Sequence, residues 1–275
     1  MNFDEMRKHY LDQPNEVSLE ISTVCNARCT FCPYPTIDRI GNRMSDELID
    51  KLIKEMSSWT VPFTFSPFKL SDPLLDKRVI PICERINKEV PAAMLRIFTN
   101  GSPLTPKNIE GLAKLDRVVH LWISLNHHVP EEYEKLMGLK WDKVASNLDY
   151  LHECNFPHPV VLSCVGYPNE TFRRYCFERW PNFQSAALMK VGWLGFTDPQ
   201  IYKVPDKPCG RWFELSVMSN GIVSLCCQDS EGEFPIGDLN TQTMLEVYNA
   251  PAWKERRANL TSRKSYDTCN RCTYG

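Results

Sequence analysis

Short apolar runs with strand character alternate with amphipathic stretches along most of the chain. Six runs predict β-strands: VSLEIST, VPFTFS, MLRIFT, VVHLWIS, PVVLSCV and SAALMKVGW. Between them, apolar residues recur every three or four positions, as on one face of a helix. Ser45 predicts the start of one helix, and Thr105 followed by Pro106 predicts the start of another. This alternation is typical of parallel βα units in an α/β fold.

The pattern changes in the last third of the chain. FELSV is followed by Asn220-Gly221 and then by IVSLC, which predicts a β-hairpin. Two further helices are predicted near residues 244–248 and 251–260. We therefore expect one large α/β domain over residues 1–200 and a small domain of hairpin and helix over residues 201–275.

Composition and charge exclude some classes of protein. The 275 residues are 43% hydrophobic and 24% charged, as in ordinary globular proteins. The formal net charge of -2 gives no case for nucleic acid or an anionic membrane as the main partner. No apolar run reaches the roughly 18 residues of a membrane span, and the first residues lack the apolar core of a signal peptide. We expect a cytoplasmic protein.

Three cysteines follow the first predicted strand, in the stretch CNARCTFC. Cys25, Cys29 and Cys32 supply three thiolates, so a cubane [4Fe-4S] cluster bound here has one iron without a protein ligand. A structural zinc site needs four ligands, and no nearby His or Cys completes this set. Most simply, four other cysteines are buried, inert thiols. These are Cys83, Cys154, Cys164 and Cys176.

The cysteine spacing, with the turns after later strands, resembles the radical S-adenosylmethionine (SAM) superfamily from about Asn15 onward. The resemblance implies an open, TIM-like (β/α)6 partial barrel. It also implies that the open iron binds SAM and that one electron cleaves SAM to a 5′-deoxyadenosyl radical. That radical abstracts hydrogen from unactivated carbon. A flavodoxin- or ferredoxin-type protein is the implied reductant.

The resemblance assigns six SAM-contact positions, which lie in the cysteine loop and in the turns after strands. Phe31 matches the position that meets the adenine. Ser71 and Asp72 stand where the family has Gly-Gly-Glu, so a shorter carboxylate would receive the SAM ammonium group. Asn100 lies in the TNG turn, and the SLN segment matches the part that holds the ribose and the methionyl carboxylate. Taken alone, each turn is ordinary turn chemistry. The six residues are Phe31, Ser71, Asp72, Asn100, Ser124 and Asn126.

A second group of cysteines occupies the C-terminal third. It resembles the twitch domain, the shortened form of the SPASM domain, which holds one auxiliary [4Fe-4S] cluster. The resemblance assigns four ligands to that cluster: Cys209, Cys226, Cys269 and Cys272. On spacing alone, a structural zinc ribbon with four cysteine ligands is the alternative.

Cys227 is left over beside a ligand. Because adjacent strand residues face opposite ways, its side chain is predicted to point away from the ligand side. One interpretation is that the Cys227 thiol only packs against its neighbours, as spare buried thiols most often do. Epimerases that resemble this architecture use a cysteine to return hydrogen to the substrate radical, so Cys227 is the predicted catalytic donor. Lys69, His127 and His128 are candidate substrate-binding or proton-transfer groups at the mouth.

Four reactions or roles fit these motifs. The leading prediction is epimerisation of a small polar substrate (a sugar, aminocyclitol or nucleoside) or of a peptide. The second is two-electron dehydrogenation with the auxiliary cluster as electron acceptor, and the third is crosslinking of a ribosomal peptide. A non-catalytic iron-sulfur electron carrier is the fourth, but such a carrier would not need the SAM-site turns.

Overall fold

The computed structural model describes residues 2–166, 169–195 and 204–273. Within these residues, nine strands form one sheet. They are β1 (Glu16–Leu19), β2 (Phe63–Ser66), β3 (Ala93–Thr99), β4 (Val118–Ser124), β5 (Val160–Val165), β6 (Gln184–Leu188), β7 (Glu214–Val217), β8 (Ile222–Ser224) and β9 (Pro235–Asp238).

The described helices connect and cover these strands. They are α1 (Phe3–Tyr10), α2 (Asp46–Met56), α3 (Val79–Glu89), α4 (Pro106–Ala113), α5 (Pro130–Met137), α6 (Trp141–Glu153), α7 (Asn169–Arg179), α8 (Met244–Tyr248) and α9 (Pro251–Asn259). In the part of the chain that the structure describes, no helix has the length and apolar character needed to cross a membrane.

The first six strands form the predicted parallel core. They lie in the order β6-β5-β4-β3-β2-β1, and all their pairings are parallel. β7 then adds in parallel to the free edge of β1, and β8 and β9 follow in antiparallel pairing. The C-terminal hairpin is therefore continuous with the core sheet. The domain boundary expected at 200/201 lies outside the described residues.

The two faces of the sheet differ in chemistry. On one face Val17 lies opposite Phe65 and Leu215 in register, and all three are fully buried in the core cluster under the helices. On the other face Glu16 accepts a hydrogen bond from the hydroxyl of Ser66 (3.0 Å) and pairs with Arg96 (2.8 Å). The face of the sheet away from the helices thus carries charged and hydroxyl side chains at β1, β2 and β3, while the opposite face packs against the helices.

Local signals in the sequence explain where two helices begin. Ser45 precedes α2, and its hydroxyl accepts a hydrogen bond from the N–H of Leu48 (3.2 Å). Thr105 caps α4 in the same way, and Pro106 is the first helical residue. Both starts agree with the prediction, because each cap is a hydrogen bond between a side chain and the backbone N–H three residues later in the chain.

Several expectations need correction. The structure has α1, α5 and β9, which the pattern did not predict, and β6 ends at Leu188 rather than at Trp193. Cys83, Cys164 and Cys176 are buried, as predicted. Cys154 is exposed, because it is the residue just after α6, where the buried stripe of that helix has ended.

The strand argument about Cys227 was also wrong. β8 ends at Ser224, so Cys226 and Cys227 lie in the turn that follows the strand. Alternation of side chains across a strand does not apply there. The environment of each thiol has to be taken from the surrounding contacts.

Two basic side chains, the buried Lys69 and the partly buried Arg39, join the early strands to the loop after β8. Lys69, only 2% exposed, donates from Nζ to the carbonyl of Asp229. Arg39 donates to the carbonyl of Ser230 through Nε (3.0 Å) and Nη2 (2.6 Å). The third nitrogen of Arg39, Nη1, pairs with the fully buried carboxylate of Glu20. The loop after β8 is therefore fixed to the first half of the chain.

Removing Arg39 should destabilise the protein strongly. Arg39→Met leaves the Glu20 carboxylate buried without its cation, so we expect the free energy of unfolding to fall by about 3–5 kcal/mol. Arg39→Met with Glu20→Met removes both charges and should recover a large part of that loss. Arg85→Met is the control, since its pair with Asp50 is half-exposed and should contribute less than about 1 kcal/mol. Anaerobic urea unfolding checks all three.

A loss in Arg39→Met no larger than that in Arg85→Met would contradict this account of the pair. So would a double variant as unstable as Arg39→Met.

Candidate functional site

A cavity of about 670 Å³ lies where the parallel strands end. Carboxyl ends of parallel strands meet at one edge of a sheet, which is where such folds place ligands. All nine residues predicted for the SAM site line this cavity. They are the cysteines Cys25, Cys29 and Cys32 and the contact residues Phe31, Ser71, Asp72, Asn100, Ser124 and Asn126.

The sequence did not identify the apolar wall of this cavity. Phe68 and Phe98 contribute rings whose centroids are 4.7 Å apart, and Met137 and Trp193 also line the space. The position of Phe98 could have been predicted, because side chains alternate between the two faces of β3 and Phe98 lies on the face that lines the cavity. For Trp193 the sequence carries no usable signal, because a loop after β6 brings it to the site.

The cysteine loop is held against the end of α5. Its backbone donates to the carbonyls of that helix, from Arg28 to Met137 (2.9 Å) and from Thr30 to Leu136 (3.0 Å). Gly138 ends the helix with φ +66°, and a Cβ there would lie 3.2 Å from Cβ of Arg28. A glycine is needed here both for the left-handed backbone and for the close approach of the loop.

The three thiols of this loop are poorly stabilised as thiolates by the protein alone. Burial raises the pKa of Cys25 to about 11 and that of Cys32 to about 12. Burial raises the pKa of Cys29 further still. The carboxylate of Asp72 adds to the effect on Cys25 and Cys29. A positively charged metal group supplies what is missing, because ligation requires the thiolate form.

Asp72 has a larger structural role than the sequence indicated. One carboxylate oxygen, Oδ1, accepts from the N–H of Leu74 (3.1 Å). The other, Oδ2, accepts from the hydroxyl of Thr99 (2.9 Å) and from the N–H of Asn100 (2.7 Å). Burial nevertheless raises the pKa of Asp72 to about 6. The carboxylate therefore fixes the turn after β3, and a cation in the cavity would favour its ionised form.

Asn126 presents an unused acceptor at the cavity. The residue is 1% exposed, and its backbone is left-handed with φ +64°. Its Nδ2 donates to the carbonyl of Ser124 (3.3 Å), whereas Oδ1 has no partner among the described residues. A buried acceptor without a donor is costly, so a ligand hydroxyl or ammonium group fits this position.

The predicted auxiliary ligands come together at a second, small cavity. Three segments of chain converge there: the residue before the 3₁₀ turn 210–213, the turn after β8, and the C-terminal 3₁₀ turn. Gln228 also lines the cavity, and its Oε1 is buried without a partner among the described residues. The four cysteines at this cavity are Cys209, Cys226, Cys269 and Cys272.

Cys227 lines neither of the two cavities. Its Sγ lies 3.7 Å from Nε2 of Gln228, and burial raises its thiol pKa. The Lys69 ammonium group acts on this thiol electrostatically, and the side chain of Lys69 lines the SAM cavity. The turn after β8 therefore faces the auxiliary cavity through Cys226 and reaches the SAM cavity through Lys69.

The two adjacent histidines lie apart from the SAM cavity. His127 and His128 stack on each other with ring centroids 5.4 Å apart, and His128 also packs against Tyr175 (4.8 Å). Neither is among the residues that line the cavity. Of the three polar groups predicted at the mouth, Lys69 is the one that the fold brings to it.

Comparison with protein families agrees with this geometry. The family model of the Radical SAM superfamily matches residues 19–175. The chain belongs to this superfamily. A second family model, SPASM, described as an iron-sulfur cluster-binding domain, matches residues 209–273. The two matches imply a SAM-binding [4Fe-4S] cluster, an auxiliary cluster and SAM as its cofactors, and the two sets of cysteines supply the thiolates for the clusters.

One curated relative is similar in sequence. The S-adenosyl-L-methionine-dependent 2-deoxy-scyllo-inosamine dehydrogenase of Niallia circulans is 26% identical over 133 residues. The match covers 47% of this chain and 53% of that protein, so the chain spans about half the length of this relative.

Solved structures share the fold. BtrN in complex with AdoMet and 2-DOIA has a TM-score of 0.67 at 18% identity, covering 94% of this chain and 92% of BtrN. Streptococcus suis SuiB bound to the precursor peptide SuiA has a TM-score of 0.72 at 14% identity, covering 98% and 72%. AdoMet-bound anSMEcpe has a TM-score of 0.68 at 14% identity, covering 92% and 83%. At these identities the likeness shows the fold.

Iron content should separate the two cysteine sets. Anaerobically reconstituted protein should hold about eight irons per chain, four at each site. Changing Cys25, Cys29 and Cys32 together to Ala should leave about four irons and abolish 5′-deoxyadenosine formation. Cys83→Ala is the control and should change neither value, because that thiol is buried in the core away from both cavities. Tightly bound zinc with only four irons would contradict the assignment of the auxiliary ligands.

Asp72→Asn should weaken SAM binding. The amide of Asn carries no negative charge to attract the SAM ammonium group. In either orientation, its NH₂ also lies against a backbone N–H, of Leu74 or of Asn100, where the carboxylate accepts a hydrogen bond. We expect SAM affinity to fall by about 1.5–3 kcal/mol, measured by anaerobic calorimetry on protein with full iron content. Asp76→Asn is the control, because that buried carboxylate bonds Arg78 outside the cavity. Unchanged affinity in Asp72→Asn would restrict Asp72 to fixing the turn.

Proposed function

We propose that this enzyme oxidises a carbinol carbon of a small polyhydroxylated or amino-substituted ring substrate to a ketone. The convergence of the four C-terminal cysteines on one cavity carries the proposal. A cluster with four protein ligands has no open iron for substrate, so exchanging electrons is the chemistry left to it. An electron acceptor near the SAM cavity is what a two-electron oxidation by a radical enzyme requires.

The comparisons support this choice over the other reactions. The relative with measurable sequence similarity is a dehydrogenase of 2-deoxy-scyllo-inosamine. A structure with the same fold over nearly its whole length holds AdoMet and 2-DOIA. Peptide crosslinking is the weaker proposal, because it rests on likeness of fold to SuiB at 14% identity.

In the proposed reaction, SAM cleavage and hydrogen abstraction belong to the first cavity, and acceptance of the second electron belongs to the auxiliary cavity. When bound, the first cluster supplies the electron that cleaves SAM, and the resulting 5′-deoxyadenosyl radical takes the hydrogen atom from the carbinol carbon. The hydroxyl proton and one further electron must then leave the substrate radical. An auxiliary cluster held by the four C-terminal cysteines would accept that electron and pass it on, either back to the first cluster or to the flavodoxin- or ferredoxin-type protein that primes the first cluster, so that the cycle closes without a net gain of electrons. The apolar wall of Phe68, Phe98 and Trp193 keeps water from the radical.

Lys69 is the residue placed to accept the hydroxyl proton. It lines the SAM cavity, is 2% exposed, and is held through its bond to the carbonyl of Asp229. Burial lowers its pKa, an effect that Arg39 reinforces and that Glu20, Cys227 and Asp229 oppose. Burial favours the neutral amine of Lys69, and that form, unlike the ammonium form, can accept the hydroxyl proton.

Epimerisation is the second candidate. The observation in its favour is that the Cys227 thiol lies within electrostatic reach of Lys69, which lines the SAM cavity. A shift of the turn after β8 would bring the thiol to the substrate. An S–H bond is weaker than a typical C–H bond, so transfer of hydrogen to a carbon radical would be favourable.

Product mass in deuterated water distinguishes the two reactions. With 2-deoxy-scyllo-inosamine and related aminocyclitols as probes, dehydrogenation gives a product two hydrogens lighter than the substrate and no deuterium at the reacting carbon. Cys227→Ser should turn over normally, whereas Lys69→Met should lose oxidised product while still forming 5′-deoxyadenosine. Mass spectrometry of product and nucleoside measures both.

The opposite pattern would overturn dehydrogenation. That pattern is a product of substrate composition with one deuterium at an inverted carbon, abolished in Cys227→Ser. The Cys227 epimerase would then replace it.

A further inference from the structure

A buried arginine lies beside the auxiliary cavity without a charged partner to explain its place. Arg256, on α9, is 7% exposed. Its guanidinium carbon lies 3.3 Å from the ring centroid of Tyr266 and 4.0 Å from that of Trp253. Its Nη1 is buried and has no hydrogen-bond partner among the described residues. A desolvated cation with an unpaired N–H is costly unless something anionic is near.

Besides the Tyr266 side chain, the groups that act on Arg256 are two of the auxiliary ligands. The thiols of Cys226 and Cys269 both act electrostatically on Arg256, and Arg256 in turn opposes the effect of burial on the pKa of Cys269. Tyr266 accepts a backbone bond from the N–H of Cys269 (2.9 Å), so the stacked ring is tied to that ligand. Leu225 lines both the auxiliary cavity and the adjoining one that Arg256 lines.

Other arginines at this site are already engaged. Arg211 lines the auxiliary cavity, but both of its contacts to Glu214 are short (2.7 and 2.8 Å), so its charge is balanced by that carboxylate. Arg263 also lines the cavity, and it donates to the carbonyl of Pro208 (3.3 Å), directly before the ligand Cys209. Arg263 also favours the thiolate forms of Cys209 and Cys269, but on Cys269 the effect of Arg256 is the larger of the two, and Arg256 has a buried N–H without a partner among the described residues.

The SAM site has the opposite character. The charged side chain that acts on both Cys25 and Cys29 is the carboxylate of Asp72, which disfavours added negative charge. Reducing an iron-sulfur cluster adds one negative charge, and cluster potentials respond to nearby charge and burial. A buried cation stabilises the reduced form more than an exposed one does, because the interior screens charge weakly.

We propose that Arg256 raises the reduction potential of the auxiliary cluster and so makes it the acceptor of the substrate's second electron. In that step the substrate radical is oxidised by one electron, the auxiliary cluster is reduced by one, and the hydroxyl proton goes to Lys69. The role of Arg256 as a tuning residue concerns the cluster itself. The effect of Arg256 on the reduction potential does not depend on the proposed dehydrogenation. The statement that the electron comes from the substrate does.

The adjacent residue gives a matched control. Arg257 is 2% exposed and lies over the ring of Tyr248 at 3.6 Å, much as Arg256 lies over Tyr266. Its guanidinium donates to the carbonyls of Leu11 and Tyr248, away from the cysteines. The two residues share burial, helix and aromatic contact, and they differ in which groups they face.

A redox titration of the reconstituted full-length enzyme, followed by electron paramagnetic resonance without substrate, tests the proposal. Arg256→Gln should lower the equilibrium constant for one-electron reduction of the auxiliary cluster at least tenfold, a shift of about 59 mV to more negative potential. Arg256→Lys keeps the charge and should stay closer to the parent. Arg257→Gln should leave the potential unchanged, and the SAM cluster should be unaffected in all three.

The proposal is wrong if Arg256→Gln matches the parent, or if Arg257→Gln shifts the potential equally. Arg256→Met, whose side chain packs against the same rings, is a second neutral variant. If neither neutral variant retains the auxiliary irons while Arg257→Gln does, Arg256 assembles the site and does not tune it, which also overturns the proposal. A shifted potential in an enzyme that makes no oxidised product would refute dehydrogenation and leave the role of Arg256 standing.

Discussion

Two basic side chains donate to consecutive carbonyls of one loop, the buried Lys69 to Asp229 and the partly buried Arg39 to Ser230. A buried ammonium or guanidinium group is tolerated only when its N–H groups find acceptors. The cations come from segments that follow β1 and β2, and the acceptors belong to the loop after β8. Cys226 lies in that same loop, so the position of one auxiliary ligand depends on these bonds.

The same contacts bring the two cysteine sites within reach of each other. Strand β7 adds to the edge of β1, which places the C-terminal hairpin beside the first strand of the core. Lys69 lines the SAM cavity. Its Nζ also donates a hydrogen bond to the carbonyl of Asp229, in the same loop as Cys226. In the proposed dehydrogenation, the proton acceptor and the loop that carries an auxiliary ligand are therefore joined by one hydrogen bond.

The electrostatic difference between the sites gives the transfer a direction. The Asp72 carboxylate acts electrostatically on Cys25 and Cys29, whereas the Arg256 guanidinium acts on Cys226 and Cys269. Added negative charge is opposed at the first site and favoured at the second. One protein can in this way hold two clusters of the same type with different tasks.

Local chemistry made much of this predictable from the sequence. The cysteine spacings, the caps at Ser45 and Thr105, and the turns at strand ends depend on residues close in the chain. The six SAM-contact residues came from the family resemblance, and they line one cavity together with the three cysteines. The parallel core was predictable too, since alternation of strand and helix patterns indicates βα units.

Features that depend on tertiary packing were not predictable. Trp193 lines the SAM cavity from a loop after β6. The carboxylate of Asp72 accepts a hydrogen bond from the N–H of Asn100 in the turn after β3. The end of β8 at Ser224 removed the basis for orienting Cys227. The partners of Arg39 and Arg256 lie far away in sequence, so no local pattern indicates that either side chain is buried.

The central claim is that the auxiliary cluster takes one electron from each substrate molecule. Rapid freeze-quench electron paramagnetic resonance during a single turnover, with the SAM cluster reduced and no further reductant present, measures this directly. The account predicts one electron in the auxiliary cluster for each 5′-deoxyadenosine and each oxidised product formed. Formation of 5′-deoxyadenosine and product with the auxiliary cluster still oxidised throughout would contradict it.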